Sequence, residues 1–73
     1  MPSLPVLSGE ACVAVLLRLG YVQVGQKGSH VRLHCPGRAP VTVPLHRELK
    51  RGTLRSILRA ANLSVEELLE RCG

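Results

Sequence analysis

The chain has 73 residues, 45% of them hydrophobic, which is enough for one small core near the lower size limit for independent folding. We therefore expect a single domain over residues 1–73. Tyr21 is the only aromatic residue, which argues against binding single strands by repeated base stacking. The net charge of +5 is carried mostly by arginine. It favours a polyanionic partner such as nucleic acid, an anionic membrane or an acidic protein. A surplus of solvated arginines would also explain this charge.

Cysteine usage and the N-terminus narrow the class of protein further. Cys12, Cys35 and Cys72 are odd in number, widely scattered and without a CxxC pair, so neither a disulfide framework nor a zinc site is predicted. The first ten residues lack the pattern of a signal peptide, and no apolar run approaches the length of a membrane span. No glycine-rich nucleotide motif is present. We expect a cytoplasmic protein with no membrane association and no cofactor.

The first predicted element is a helix that follows a loose arm. Pro2 and Pro5 make the opening residues a poor helix. Ser8 is the predicted N-cap, Glu10 suits the positive first turn, and Gly20 suits the residue after the helix. Apolar residues lie on most sides of this helix, which is typical of packing against a broad surface such as a sheet.

Three strands are predicted after this helix, each with apolar residues at every second position. The first strand alternates as a half-buried strand does, with Val22 and Val24 pointing one way and Tyr21 and Gln23 pointing the other. A turn at Lys27-Gly28-Ser29 and a second turn at Pro36-Gly37 separate the strands. The predicted inward residues of the second and third strands are Val31, Leu33, Cys35, Val41, Val43 and Leu45. Pro40 and Pro44 indicate that the third strand is an edge.

A second helix is predicted to begin at an N-cap Thr53 and to end near Asn62. Its apolar stripe consists of Leu54, Ile57, Leu58 and Ala61. A capping box at residues 64–67 starts a short last helix. The order α-β-β-β-α, with this extra helix, predicts an α+β fold in which helices pack on one face of a three-stranded antiparallel sheet.

The opposite face of the predicted sheet carries His30, Arg32 and His34. Histidine can take a proton from a ribose 2′-hydroxyl or give one to a leaving oxygen, and cleavage through the 2′-hydroxyl needs no metal. Lys27, Arg32 and the Gly28-Ser29 backbone could stabilise the charged phosphorus centre. The residues alone leave open a solvated surface histidine beside a tight turn. Metal binding by His30 and His34 lacks further ligands, and a loop role is the plain interpretation of His46.

A second basic cluster lies where the second helix is predicted to begin. Lys50, Arg51 and Arg55 surround this point, and Arg47 is close by. A helix N-terminus offers free N–H groups and a positive dipole, so the cluster could bind a phosphate. A capped helix with a solvated basic end would explain the same residues.

Three blocks in this order and spacing resemble the HicA family of small toxins from bacterial and archaeal toxin–antitoxin pairs. They are "LGY" followed by "QKGSH", then "VTVPLH", then "ELKRGTLRSILRAANLS". The resemblance covers about Ser8 to Leu69. It implies a double-stranded-RNA-binding-domain-like fold and an mRNA interferase, an endoribonuclease that cuts transcripts.

The resemblance also implies roles for particular residues and a protein partner. The histidine of the "GSH" block is the catalytic residue of that family and corresponds to His30, while the "GTLRSIL" block corresponds to Gly52–Leu58. The expected partner is a HicB-type antitoxin that blocks the active face and often binds operator DNA through its own domain. Contacts to RNA are then expected from Lys27, Gly28, Ser29, Arg32, Lys50, Arg51 and Arg55.

Two other functions remain compatible with the residues. The first is a non-catalytic module that reads A-form RNA by shape and phosphate contacts. The second is a purely protein-binding domain whose basic face meets an acidic antitoxin.

Overall fold

The computed structural model describes residues 3–72, and its elements follow the predicted order. They are α1 (Gly9–Leu19), β1 (Val22–Lys27), β2 (His30–Cys35), β3 (Arg38–Pro44), α2 (Arg51–Ala61) and α3 (Val65–Cys72). The sheet is antiparallel with strand order β1-β2-β3, α1 and α2 pack against β3, and α3 packs against α1. The predicted α+β, double-stranded-RNA-binding-domain-like fold is confirmed. Within residues 3–72 no helix is both long and apolar enough to span a bilayer.

The core lies between the helices and one face of strands β2 and β3. Val31 and Leu33 of β2 and Val41 and Val43 of β3 are buried, while the residues that alternate with the β2 pair are exposed. The predicted apolar stripe of α2 is confirmed, because Leu54, Ile57, Leu58 and Ala61 are all buried. β3 is an edge strand, as its prolines predicted. The helices therefore bury one face of β2 and β3 and leave the opposite face to solvent.

Strand β1 differs from the prediction of a half-buried strand. Gln23 and Gln26 pair with Leu33 and Val31, which places them on the helical side of the sheet, yet both glutamines are exposed. Val22 and Val24 on this strand are 61% and 56% exposed. The reason is that the helices pack chiefly against β3, at the far edge of the sheet. β1 therefore projects beyond the helical layer, and neither of its faces is covered by residues 3–72.

The N-terminal arm is packed, which corrects the prediction of a loose segment. Residues 3–8 form no helix, as the prolines predicted. Leu4 and Leu7 are nevertheless buried in the core. The N–H of Leu49 donates to the carbonyl of Leu7 at 2.8 Å. Apolar burial and this long-range bond hold the arm against the loop of residues 45–50.

The second helix begins earlier than predicted. Lys50, with extended φ and ψ of −63° and 147°, is the N-cap, so Thr53 lies inside the helix. No side chain caps this end. Leu49 is buried and its N–H is bonded to the arm, so the chain is fixed just before the helix. This explains why the helix begins at a position without a capping side chain. The opposite end matches the prediction, because Asn62 adopts the left-handed conformation at φ 54°.

The remaining predicted helix ends are confirmed. The Ser8 hydroxyl accepts a bond from the Ala11 N–H at 3.0 Å, and Gly20 ends α1 at φ 118°. Ser64 and Glu67 form the predicted capping box, in which each backbone N–H donates to the other residue's side chain, at 3.1 Å and 3.0 Å. Local hydrogen bonding thus sets three of the helix ends in the way the sequence indicated.

We expect Gly9→Ala to lower the free energy of unfolding by about 1–3 kcal/mol, the range for overpacked sites. A Cβ at Gly9 would lie 2.1 Å from the Pro44 carbonyl oxygen and 2.8 Å from the Leu45 Cα, so the loop after β3 must move. Chemical denaturation measures the change. The matched control is Gly52→Ala, whose new Cβ meets no atom within 4 Å and which should leave stability unchanged or slightly raised. Equal destabilisation by both substitutions would contradict this account of Gly9.

We expect Glu67→Gln to weaken the acid sensitivity of folding. Hydrogen bonds from the Ser64 backbone N–H and hydroxyl lower the pKa of Glu67 from its ordinary value of 4.5. Because the folded pKa is the lower one, the contribution of the ionised capping box is present above 4.5 and is lost as the pH falls through the folded pKa.

Denaturation midpoints measured from about pH 6 down to about pH 3 test this expectation. The wild type should lose more stability than Glu67→Gln over that interval, since only the wild type titrates at this position. The control is Glu66→Gln, which removes the adjacent exposed carboxylate and keeps the capping box. Identical acid sensitivity in wild type and Glu67→Gln would count against the capping-box contribution.

Candidate active site and nucleic-acid interface

His30 is the first residue of β2 and stands directly after a two-residue hairpin turn. The turn consists of Gly28 and Ser29, and Gly28 has φ 59°, the positive value that such hairpin turns require. The register pairs His30 with Lys27 across the turn. Directly opposed residues share a sheet face with Cβ atoms about 4.5–5.5 Å apart. The turn thus sets an exposed imidazole beside an exposed ammonium group.

Arg32 and His34 share the exposed face of β2 with His30, as predicted. Strand geometry places Arg32 about 7 Å and His34 about 13 Å from His30 along the strand. On β3, Thr42 lies opposite Arg32 and is exposed, and Pro44 lies opposite His30 and is half-buried. His30 and Arg32 can therefore contact one phosphodiester linkage together, whereas His34 lies too far along the strand to join them.

The charge of the sheet is entirely positive. Residues 21–45 contain no aspartate or glutamate, while they contain Lys27, Arg32 and Arg38. Lys27 and Arg32 are exposed on either side of His30. An anion that approaches this face meets two cations and no carboxylate of the sheet. Such a field attracts polyanions and stabilises charge that develops on a bound phosphate.

The basic residues predicted around the second helix lie in two different places. Lys50 and Arg51 are exposed at the N-terminal end of α2, which lacks a capping side chain. The loop of residues 45–50 joins this end to Pro44, the partner of His30. Arg55 instead lines a surface groove of ≈ 270 Å³ on the helical layer, together with Leu4, Arg59 and Leu63. The structure therefore gathers Lys27, Gly28, Ser29, His30 and Arg32, and it sets Arg55 apart from them.

Two arginines have structural contacts that the sequence did not indicate. A guanidinium nitrogen of Arg38 donates to the carbonyl of Ala61 at the end of α2, where a cation also complements the helix dipole. Arg18 Nη1 donates to the carbonyl of Arg71 at 2.6 Å and ties α1 to α3. Both contacts span long sequence separations, so no local signal marks them. These arginines stabilise the fold and reduce the share of positive charge available to a partner.

The only aromatic ring is unavailable for stacking. Tyr21 is 2% exposed, and its hydroxyl donates to the carbonyl of Ala39 at 2.6 Å. Burial raises the pKa of this hydroxyl, so it stays protonated and keeps donating. Any contact of this sheet with nucleic acid therefore uses charge and hydrogen bonds rather than base stacking on Tyr21.

Cys12 is not a reactive nucleophile. Cys12, Cys35 and Cys72 are free thiols, and burial raises the pKa of Cys12 to about 11. A thiol with so high a pKa is a poor nucleophile at neutral pH. Among residues 3–72 no group of three or more His, Cys, Asp or Glu side chains is placed to hold a metal ion. The exposed face of β2 thus places titratable and cationic groups next to one another.

Comparison with known protein families identifies the chain. The family described as the HicA toxin of bacterial toxin–antitoxin systems matches residues 9–63. These residues include α1, the whole sheet and α2, and therefore the hairpin that carries His30. No curated protein matches the chain. Because the match covers most of the sequence and the architecture agrees with the expected one, the chain belongs to the HicA family of toxins from toxin–antitoxin systems.

Proposed function

We propose that this toxin is a metal-independent endoribonuclease that cleaves mRNA in the cytoplasm, with His30 as a catalytic residue. The observation that carries the proposal is the exposed imidazole of His30 on an uncovered sheet face, opposite Lys27 and two residues from Arg32, in a chain of the HicA family. These groups have the chemistry that cleavage of RNA through its own 2′-hydroxyl requires.

The proposed reaction uses each residue of the hairpin in a separate role. His30 transfers a proton to or from the reacting ribose oxygens. Lys27 and Arg32 stabilise the negative charge that increases on the phosphate as the new bond forms. A Cβ at Gly28 would meet no atom within 4 Å, so the space above the turn is open to a backbone phosphate. The Ser29 hydroxyl and the turn backbone then orient that phosphate.

Lys50 and Arg51 are proposed to hold a second phosphate along the same strand of RNA. Both are exposed at the uncapped start of α2, where free N–H groups and the helix dipole favour an anion. Arg55 is proposed to add to the long-range attraction of RNA, because it lies on the helical layer rather than beside His30. Contacts of this kind recognise the backbone and carry no base specificity.

The proposed partner is a HicB-type antitoxin that covers the exposed sheet face. Membership in a family of toxins from toxin–antitoxin systems implies pairing with an antitoxin. The face formed by His30, Arg32 and His34 is exposed when residues 3–72 are considered, so an inhibitor can block RNA by occupying it. An acidic surface on the antitoxin would complement the two cations beside His30.

We expect the purified protein to cleave RNA in EDTA and His30→Ala to lose about 10²–10⁴-fold in rate, the usual contribution of a general acid or base. The measurement is the appearance of 2′,3′-cyclic-phosphate ends in a labelled RNA. His34→Ala is the matched control, since it removes an equally exposed histidine from the same strand face and should stay close to the wild-type rate.

Three outcomes would contradict this expectation. Equal cleavage by wild type and His30→Ala would remove His30 from the mechanism. Tight RNA binding without any product after long incubation would favour the non-catalytic RNA-binding module. Failure to bind RNA at any salt concentration would favour a purely protein-binding domain, because phosphate binding is always strengthened by lowering the salt.

We expect Arg32→Glu to weaken binding of both RNA and the co-expressed antitoxin, because the two would occupy the same sheet face. Titration of labelled RNA and of antitoxin against this variant measures both affinities. Arg59→Glu is the control, because this substitution makes the same change of charge at an exposed residue of the helical layer. An antitoxin that binds Arg32→Glu as tightly as wild type, and binds the RNA-loaded toxin, would contradict inhibition by coverage of this face.

A further inference from the structure

A second exposed histidine, His46, lies at the same end of the sheet as His30. The register pairs His30 with Pro44, and the N–H of Leu45 donates to the carbonyl of Ser29 at 2.6 Å, which continues the pairing one residue further. His46 follows Pro44, the partner of His30, by two residues at the start of the loop. Two residues span at most about 7 Å, so the main chain of His46 stays near the His30 end of the sheet.

The backbone of this loop is fixed on both sides of the histidine. The carbonyl of His46 accepts a bond from the N–H of Gly9 at 2.9 Å, and Gly9 can approach this closely because it has no side chain. The N–H of Leu49 is bound to the arm at the carbonyl of Leu7. The imidazole of His46 itself is exposed. The fold thus holds the main chain of His46 in place and leaves its ring free to meet a ligand.

RNA cleavage through the 2′-hydroxyl involves two proton transfers, one from the 2′-oxygen and one to the leaving O5′, and His30 is proposed above for one of them. His34 lies about 13 Å along the strand, which is too far to act on the same linkage. The guanidinium group of arginine is a hydrogen-bond donor without an acceptor, so Arg32 is not a candidate to accept the proton. We propose that His46 is the second proton-transfer residue of the site, an inference that rests on the endoribonuclease function proposed above.

The proposed step conserves atoms and charge with these two groups alone. One imidazole takes the proton of the ribose 2′-hydroxyl while the O2′–P bond forms. The P–O5′ bond breaks, and the imidazolium form of the other histidine gives its proton to O5′. The products are a 2′,3′-cyclic phosphate and a 5′-hydroxyl, and exchange with water then restores both histidines.

Several charged groups on the surrounding elements will influence this pair. The hairpin contributes Lys27 in addition to His30, and the first turn of α1 contributes Glu10. The loop of His46 itself contributes Arg47, Glu48 and Lys50. The pH dependence of the cleavage rate must therefore be compared between variants that differ only at the histidine.

The experiment compares His46→Gln with His30→Gln and with the control His34→Gln. The hydrogen bonds that fix the loop around His46 join main-chain atoms, and the side chains of all three histidines are exposed. These substitutions should therefore leave the fold intact. Circular dichroism and binding of a non-cleavable 2′-deoxy oligonucleotide will verify this. We expect His46→Gln to bind that oligonucleotide like wild type, to lose about 10²–10⁴-fold in cleavage rate, and to lose one limb of the bell-shaped rate–pH profile.

A substrate with sulfur in place of the bridging O5′ assigns the roles. A thiolate leaves without receiving a proton, so it should restore cleavage in the variant that lacks the acid and not in the variant that lacks the base. Rescue of one, and only one, of His46→Gln and His30→Gln supports the pair. A His46→Gln variant with wild-type rate and an unchanged profile, or rescue of neither variant, would overturn the role of His46. If His46 is excluded in this way but cleavage still depends on His30, the proposed nuclease function is retained. If the wild type does not cleave RNA, both the nuclease function and the role of His46 are overturned.

Discussion

The burial of Val31 and Leu33 against the helical layer is the contact on which the exposed histidine face depends. Side chains alternate along a strand, so fixing these two residues in the core directs His30, Arg32 and His34 to solvent. A shift of the β2 register by one residue would exchange its buried and exposed residues and place three titratable groups in the core. The cost of burying them selects a single register. The same apolar contact that stabilises the fold therefore orients the proposed site.

Much of this arrangement could be predicted because it depends on short-range patterns. Alternation along residues 30–35 predicted which side of β2 is exposed, and the Gly28-Ser29 turn predicted the hairpin. Side-chain caps at Ser8 and Ser64 predicted the starts of α1 and α3 through bonds to residues three positions away. The position of His30 beside Lys27 and Arg32 follows from these local features alone.

The remaining features depend on contacts between distant residues. Whether β1 is covered depends on where the helices pack, so its alternating pattern suggested burial that the fold does not supply. Arg38 binds the end of α2, 23 residues away, and Arg18 binds Arg71 across 53 residues. The position of the His46 main chain likewise depends on the bond from the Leu45 N–H to the Ser29 carbonyl and on the bond from the Gly9 N–H. Composition and periodicity contain none of this information.

The meander of the sheet has a consequence for synthesis of the chain. Two short turns join the three strands, so their pairings close small loops and carry a low entropic cost. The apolar face of this sheet is nevertheless covered by helices, so the sheet alone would leave Val31, Leu33, Val41 and Val43 in contact with water. The buried partners of Val41 and Val43 include residues of α2, which the ribosome adds after the sheet is complete. A nascent chain thus contains every strand of the sheet before α2 is available to cover its apolar face. A translation product truncated before α2 would carry the hairpin of His30 without that cover.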